Sequence, residues 1–112
     1  MNESEFNEQA ERTLAEIEQA VEDSGVDIDY DTISDILTLE FENGSQIIIN
    51  KQAPARQLWV AARSGGFHFD YDADASCWRL DSDASQELFD CLSRYCSLQA
   101  GEPVSLKHPE HT

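Results

Sequence analysis

Basic side chains are scarce in this chain, with seven Lys and Arg against 23 Asp and Glu, for a formal net charge of −16. A charge of that sign argues against contact with nucleic-acid phosphate or with an anionic membrane surface, since both would repel it. No apolar run approaches the ~20 residues that a membrane-spanning helix needs. The first residues contain neither a basic region nor an apolar run, so a signal peptide is not expected.

Cysteines are few as well, and the three present, Cys77, Cys91 and Cys96, cannot all pair with one another. An odd number without a signal peptide is typical of a reducing compartment, so we expect a cytoplasmic protein. Motifs of enzymes are also missing, including a nucleophile elbow, a phosphate-binding glycine loop and a metalloprotease helix. The sequence therefore favours a protein that is not an enzyme.

The acidic residues that are present crowd into one part of the chain. Residues 1–42 hold 14 of the 23 with Arg12 as the single base, whereas residues 43–69 hold no acid and three bases. Like charges at this density destabilise the compact state by self-repulsion. We expect a metal cation or a basic protein partner to offset that repulsion, although an acidic surface that only aids solubility would explain the charge as well.

Both ends of the chain have the apolar spacing of amphipathic helices. Residues 3–24 place apolar side chains every three or four positions, and Asn2 followed by Glu5 has the pattern of a capping box. A second helix is predicted over residues 83–99 by the same spacing. The segment after it, Glu102–Thr112, contains two prolines and is expected to be loosely held.

Between the two helices lie segments with the composition and alternation of strands. They are residues 26–31, 36–41, 46–51, 57–62, 67–71 and 77–80. Asn43-Gly44 between two of them is a strong hairpin signal, and the other connections are short too. The sequence therefore predicts an α+β two-layer sandwich, in which the two terminal helices pack on one face of a five- to six-stranded antiparallel sheet. We expect one domain over residues 1–106 and a flexible tail over 107–112.

Acidic residues recur on one stripe of the first helix, at positions seven and eleven apart that return to nearly the same angle. These are Glu11, Glu18 and Glu22. Three more should point outward from the first strand, namely Asp27, Asp29 and Asp31. If that strand lies at the sheet edge nearest the helix, the two rows form one acidic ridge. Outward-pointing carboxylates cannot converge to ~2–2.5 Å from one ion, so we expect weak, exchangeable binding of several hard cations.

A second candidate surface lies on the open face of the predicted sheet. Alternation turns Gln57 and Trp59 outward, with Asn50 facing the same way on the neighbouring strand. An exposed Trp beside polar amides is a plausible interface anchor. The alternative is a Trp folded down over a sheet edge.

Three stretches of the sequence resemble bacterial members of the frataxin family. They are residues 37–44, 49–61 and 65–69, and the run NKQAPARQLW at 50–59 is the most specific of them. The acidic first helix and first strand fit the family too, and the resemblance extends over about residues 1–106. It implies the two-helix, antiparallel-sheet fold predicted above.

The resemblance also implies a function and a set of site residues. The resemblance implies binding of iron as Fe²⁺ or Fe³⁺, which the spacing discussed above makes weak and exchangeable, and other divalent or trivalent cations are expected to substitute. The implied partners are a cysteine desulfurase and the scaffold of iron–sulfur cluster assembly. By position, the family's acidic ridge corresponds to Glu18, Glu22, Asp23, Asp27, Asp29 and Asp31. Its sheet-surface patch corresponds to Asn50, Gln57 and Trp59. We expect a monomer that regulates cluster assembly, and the sequence leaves open whether metal drives it to oligomerise.

Two other functions fit parts of the sequence. An acidic protein that mimics nucleic acid and inhibits a nucleic-acid enzyme would explain the charge equally well, but not the run at 50–59. An iron-oxidising or iron-storing enzyme would need a buried carboxylate–histidine site, for which the sequence gives no sign.

Overall fold

Two helices and seven strands follow one another along residues 1–109, the part of the chain that the computed structural model describes. Their order is α1 (Glu3–Asp23), β1 (Ile28–Ile33), β2 (Ile36–Phe41), β3 (Gln46–Gln52), β4 (Gln57–Ala62), β5 (Gly65–Asp72), β6 (Cys77–Leu80), β7 (Asp83–Glu87) and α2 (Leu88–Ala100). The strands form one antiparallel sheet in the order β1 to β7, so each strand pairs with its neighbour in the chain. The predicted two-layer α+β fold is confirmed, with seven strands in place of five or six.

Helix α1 begins as its sequence predicts. The Asn2 side chain accepts a hydrogen bond from the Glu5 amide at 2.8 Å, and the Glu5 carboxylate accepts one from the Asn2 amide at 3.3 Å. This reciprocal cap satisfies two amides that have no partner inside the helix. The predicted apolar stripe is buried against the sheet, and it consists of Phe6, Ala10, Leu14, Ile17 and Val21.

Strand β1 lies two residues further along the chain than the predicted range of 26–31. The difference arises at the turn to β2, where Ser34 and Asp35 have φ angles of 49° and 67°. A two-residue turn with positive φ at both positions matches the twist of a hairpin. The β-branched residues Thr32 and Ile33 therefore stay in the strand and pair with β2.

Helix α2 begins at Leu88 rather than at residue 83, so the predicted start was wrong. Residues 83–87 pair with β6 as the short strand β7, with an irregular register. The Glu87 carboxylate then accepts a hydrogen bond from the Phe89 amide at 2.6 Å and caps the helix. The apolar stripe of α2 starts only at Leu88, and none of residues 83–87 is buried, so nothing in that segment requires a helix.

One hydrophobic core lies between the sheet and the helices. Strands β2, β3 and β4 each send at least two alternate side chains into it. Those at most 2% exposed are Leu37, Leu39, Ile47, Ile49, Leu58 and Val60. The Trp78 indole packs edge-on against Phe6, and its Nε1 donates a hydrogen bond to Thr13 Oγ1 at 2.8 Å. That bond satisfies two polar groups that are otherwise buried in apolar surroundings.

The segment after α2 runs back along that helix as a strap over residues 102–107. Val104 and Leu106 are buried, and their amides donate to Ser97 Oγ and Ser93 Oγ, each at 2.9 Å. The expectation that this segment is loosely held was therefore wrong as far as Leu106. Two apolar side chains and two serines that face them bind it to the helix.

Only the first residues of the predicted tail, 107–112, are described. The His108 ring lies 3.9 Å from the Phe89 ring, centroid to centroid, and its Nε2 is 3.2 Å from Glu87 Oε1. Residues 110–112, including His111, lie outside the described part. Within residues 1–109, neither helix is long and apolar enough to cross a membrane.

Candidate metal ridge and partner surface

Two carboxylates of α1 lie beside strand β1 on the helix side of the sheet. Thr32 Oγ1 donates a hydrogen bond to Glu18 Oε2, and the Tyr30 hydroxyl donates one to Glu22 Oε1, both at 2.5 Å. The bond to Glu22, with the charge of Glu18 nearby, raises the pKa of the Tyr30 phenol. The sequence places Tyr30 on the helix side, which is where it lies, but at the sheet edge it stays 37% exposed.

The aspartates of β1 point to the opposite, open face. Asp29 and Asp31 are exposed and stand opposite Glu40 and Thr38 of β2. A shallow groove of about 340 Å³ runs beside them and is lined in part by both aspartates and Glu40. Glu18, Glu22, Asp29 and Asp31, called the edge carboxylates below, thus flank β1 from its two sides.

Two further acidic residues lie on this surface, and sequence reasoning did not name them as site residues. They are Glu40 and Glu42. Glu40 lies directly across from Asp29, and Glu42 lies close enough to Asp27 for the two carboxyls to share a proton in a hydrogen bond. That bond and the charge of Asp27 raise the pKa of the Glu42 carboxyl. Pairing the two strands in register, with the aspartates of β1 facing outward, would have found both residues.

The structure does not bring Asp23 and Glu11 together with the edge carboxylates. Asp23 accepts a hydrogen bond from Gln19 Nε2 at 2.9 Å and lines a separate groove against the strap, with Pro103 and Lys107. Glu11 shares the stripe of Glu18 but lies seven residues before it, about 10 Å away along the helix axis. Both are exposed, and both extend the acidic surface beyond the edge.

The bases of the protein lie elsewhere. Arg12 pairs with Glu8, Lys51 with Asp35 and Arg79 with Asp72, at N···O distances of 3.7, 3.1 and 2.9 Å. None of the ion pairs found within residues 1–109 includes an edge carboxylate. The charge of the edge carboxylates is therefore not matched by a basic side chain from the described part of the chain.

The geometry suits loose binding of cations. Across residues 1–109, no three side chains of His, Cys, Asp or Glu converge closely enough to hold a metal ion. The edge carboxylates are exposed or half-buried, and they lie on opposite sides of one strand. Such oxygens can attract a hydrated cation, with water supplying the remaining ligands.

The predicted surface on the open face is built around Trp59. Its ring stacks on His68 of β5 with centroids 4.4 Å apart, and its Nε1 donates a hydrogen bond to Gln57 Oε1 at 2.9 Å. Gln57 in turn donates to Asp70 Oδ1 at 3.0 Å, and Asn50 is the direct neighbour of Trp59 on β3. The structure brings all three predicted residues together and places Trp59 on a central strand rather than over a sheet edge.

The strand register extends this surface across the sheet in a single row. The residues in line are Ile33, Ile36, Asn50, Trp59 and His68. Ile33 is 66% exposed and Ile36 is 40% exposed, which is unusual for side chains of this size. Sequence reasoning missed both isoleucines and His68, because it did not pair the strands across the whole sheet.

The sequence is similar to known proteins over most of its length. The family profile of the frataxin-like domain matches residues 1–102. The iron–sulfur cluster assembly protein CyaY of Pseudomonas aeruginosa is 48% identical over 105 residues, which cover 93% of this chain and 95% of that protein. The protein of the same name from Vibrio cholerae is 44% identical over 105 residues, covering 93% and 97%.

A solved structure agrees with the sequence comparisons. The frataxin from Psychromonas ingrahamii superposes with a TM-score of 0.86 at 39% identity, over 96% of this chain and 100% of that one. The order of helices and strands described above is thus shared over nearly the whole chain.

Proposed function

The chain belongs to the frataxin family, and on this premise we propose that it binds iron and regulates iron–sulfur cluster assembly by docking on a cysteine desulfurase and its scaffold protein. Its relatives are named as assembly proteins, which supports a role in that process. We further propose that it acts in the cytoplasm and supplies no catalytic group of its own.

The observation that carries the proposal is the set of edge carboxylates. All four flank one strand, and no basic side chain within residues 1–109 forms an ion pair with them. Ferric iron is a hard cation that binds oxygen donors of this kind, and ferrous iron accepts carboxylates among its ligands. Glu11, Asp23 and Asp27 extend the proposed binding surface, and the Glu42 carboxyl lies beside that of Asp27. Because the oxygens do not enclose an ion, we infer that iron exchanges rapidly and binds at more than one position.

The same carboxylates also suit a basic protein surface. Unmatched charge at an exposed edge accelerates encounter with an oppositely charged partner and fixes its orientation. Iron and the desulfurase would then compete for the same oxygens. The surface around Trp59, with Asn50 and Gln57, offers a second contact. The Trp59 ring there is already oriented by His68 and Gln57.

A pair of charge-removing substitutions tests this function. In the double variant Glu18→Gln/Glu22→Gln, each Gln still accepts the hydrogen bond from Thr32 or Tyr30, but two negative charges are lost. Calorimetric titration against desulfurase is expected to show about five- to tenfold weaker binding at low salt. Adding salt should shrink the difference, because screening removes the attraction that the variant lacks. The parent should also bind more weakly when ferrous iron is present.

The matched control is Asp74→Asn/Asp90→Asn, which removes the same charge from two exposed positions away from β1. It should bind desulfurase nearly as the parent does. Equal losses of desulfurase affinity in both double variants would mean that only the net charge of the protein matters, and not the position of the carboxylates at the edge. Desulfurase binding that does not depend on salt or iron would contradict the proposed docking.

A further inference from the structure

The two edges of the sheet differ in how they end. Strand β7 has five residues and an irregular register with β6, and both features discourage a further strand from pairing there. Strand β1 has six residues, pairs with β2 without a register shift, and exposes five of its six side chains. Within residues 1–109, no strand pairs with its other side. The β1 edge is therefore the regular, open one.

An open edge offers backbone groups as well as side chains. In an antiparallel sheet, alternate residues of the outermost strand direct both their N–H and their C=O away from the neighbouring strand. In a strand of this length about three residues do so. The Ile28 amide already donates to the Val26 carbonyl at 2.9 Å, and the remaining groups are enough to pair with a short extended segment. The hydrogen bonds of Thr32 and Tyr30 to α1 use side chains, so they leave these backbone groups unaffected.

Charge on both sides of this edge selects what can pair with it. Glu18 and Glu22 lie on the helix side of β1, while Asp29 and Asp31 lie on the open side. Side chains of an added strand would point alternately to these two sides and meet acid on each. A second copy of β1 would bring aspartates next to aspartates, which is unfavourable. An extended segment rich in Lys and Arg would meet opposite charge on both sides.

The exposed apolar side chains of β1 complete the fit. Tyr30 is 37% exposed on the helix side and Ile33 is 66% exposed on the open side. In a strand added beside β1, uncharged side chains between the basic ones would cover these two surfaces. A segment that mixes Lys or Arg with Thr, Val or similar residues therefore matches the edge in charge and in apolar contact.

We propose that the free edge of β1 accepts an extended, basic segment of a partner protein as an additional strand. The inference rests on the part of the proposed function in which a basic protein docks on the edge carboxylates. It adds that backbone pairing, and not charge alone, holds the segment in place. Such pairing fixes register and direction, which attraction between exposed charges does not.

Two synthetic peptides test the inference on the unmodified protein. One contains Lys, Arg, Thr and Val, with basic residues on both faces of an extended strand. The other is identical but N-methylated at two adjacent central residues, so that each of its edges carries one blocked amide and every charge is kept. We expect the methylated peptide to bind about tenfold more weakly, because it cannot pair along the full edge.

Amide hydrogen exchange, followed by NMR, locates the binding. The unmethylated peptide should protect alternate amides of β1 and leave those of β7 unchanged. Equal affinity of the two peptides, absence of binding by both at low salt, or binding without protection of β1 would each overturn the inference. If neither peptide bound and the protein formed more dimer at low salt, the edge would instead be assigned to a second copy of the chain. That result would also overturn the inference.

The proposed function is judged by a different measurement, the salt and iron dependence of desulfurase binding. Failure of the peptides with salt-dependent desulfurase binding would refute only the added strand. Success of the peptides without any desulfurase binding would refute the proposed function and leave β1 as a site for another basic partner.

Discussion

Successive residues of strand β4 face two different surroundings, the hydrophobic core and the open face of the sheet. Leu58 and Val60 are at most 2% exposed and pack under the helices. Gln57 and Trp59, which alternate with them, face the open side and contact polar partners on β5. The comparison teaches that folding and recognition use opposite faces of the same strand, so a substitution can alter one while the other is kept.

The two faces also differ in how their side chains are held. On the helix side, strands β2, β3 and β4 present mainly apolar groups, which gain stability by leaving water. On the open side the Trp59 indole, the Gln57 amide and the Asp70 carboxylate form a chain of hydrogen bonds. The open face is thus ordered before a partner arrives, which lowers the entropic cost of binding.

The substitution Leu58→Ala should have the largest effect of those that separate the two faces. It removes a fully buried side chain and leaves a cavity among Leu and Ile neighbours. We expect the free energy of unfolding to fall by about 2–5 kcal/mol, measured by urea denaturation. Desulfurase affinity, measured where the variant is still folded, should change little. A smaller fall in the free energy of unfolding would mean that neighbouring side chains move in and fill the cavity.

The neighbouring substitution Trp59→Ala should show the reverse pattern. We expect binding of the desulfurase–scaffold complex to weaken by about 30-fold or more, since truncating an aromatic anchor costs ~2 kcal/mol or more. Stability should fall by less than for Leu58→Ala, because the ring is only half-buried. Trp59→Phe serves as a control, because it keeps an aromatic ring over His68 and loses only the bond to Gln57. Unchanged binding by the alanine variant would remove Trp59 from the interface.

The smallest effect is expected at the pair of Asp27 and Glu42. The folded state raises the pKa of Glu42, so the folded protein holds this proton more tightly than the unfolded chain does. The stability that the protonated carboxyl contributes is present below its ordinary pKa and is lost as the pH rises through the raised value. Glu42→Gln keeps a hydrogen-bonding group beside Asp27 without the charge.

This variant should therefore melt at a slightly higher temperature than the parent at neutral pH, by scanning calorimetry. The difference should diminish in acid, where Glu42 is protonated in both states. Asp90→Asn, at an exposed site in the first turn of α2, is the control and should not melt higher than the parent at neutral pH, because it removes a charge that the helix dipole favours. A Glu42→Gln variant that melts lower at neutral pH would contradict the repulsion between the two carboxyls.

Features fixed by neighbours in the sequence could be predicted. The capping box at Asn2 and Glu5 and the hairpin at Asn43-Gly44 involve residues a few positions apart, and the structure contains both. The outward direction of Trp59 follows from simple alternation within one strand. The signal for such features lies within a short window, so a single sequence is sufficient.

Features that depend on pairing between distant segments could not be predicted as well. Strand β7 has no apolar pattern and exists because β6 offers it an edge. Glu40 joins the acidic surface only through the register with Asp29. The strap depends on Ser93 and Ser97, whose hydroxyls accept its amides only once the chain turns back after α2. Placing them requires the fold first.

The two tryptophans of the chain lie in contrasting surroundings. Trp78 is 2% exposed and donates its indole proton to Thr13, whereas Trp59 stacks on an imidazole at the open face. Indole fluorescence shifts in wavelength with the polarity around the ring, so the two emit as distinguishable populations. The molecule thus carries one built-in optical probe of its interior and another of its exposed sheet, with no label attached.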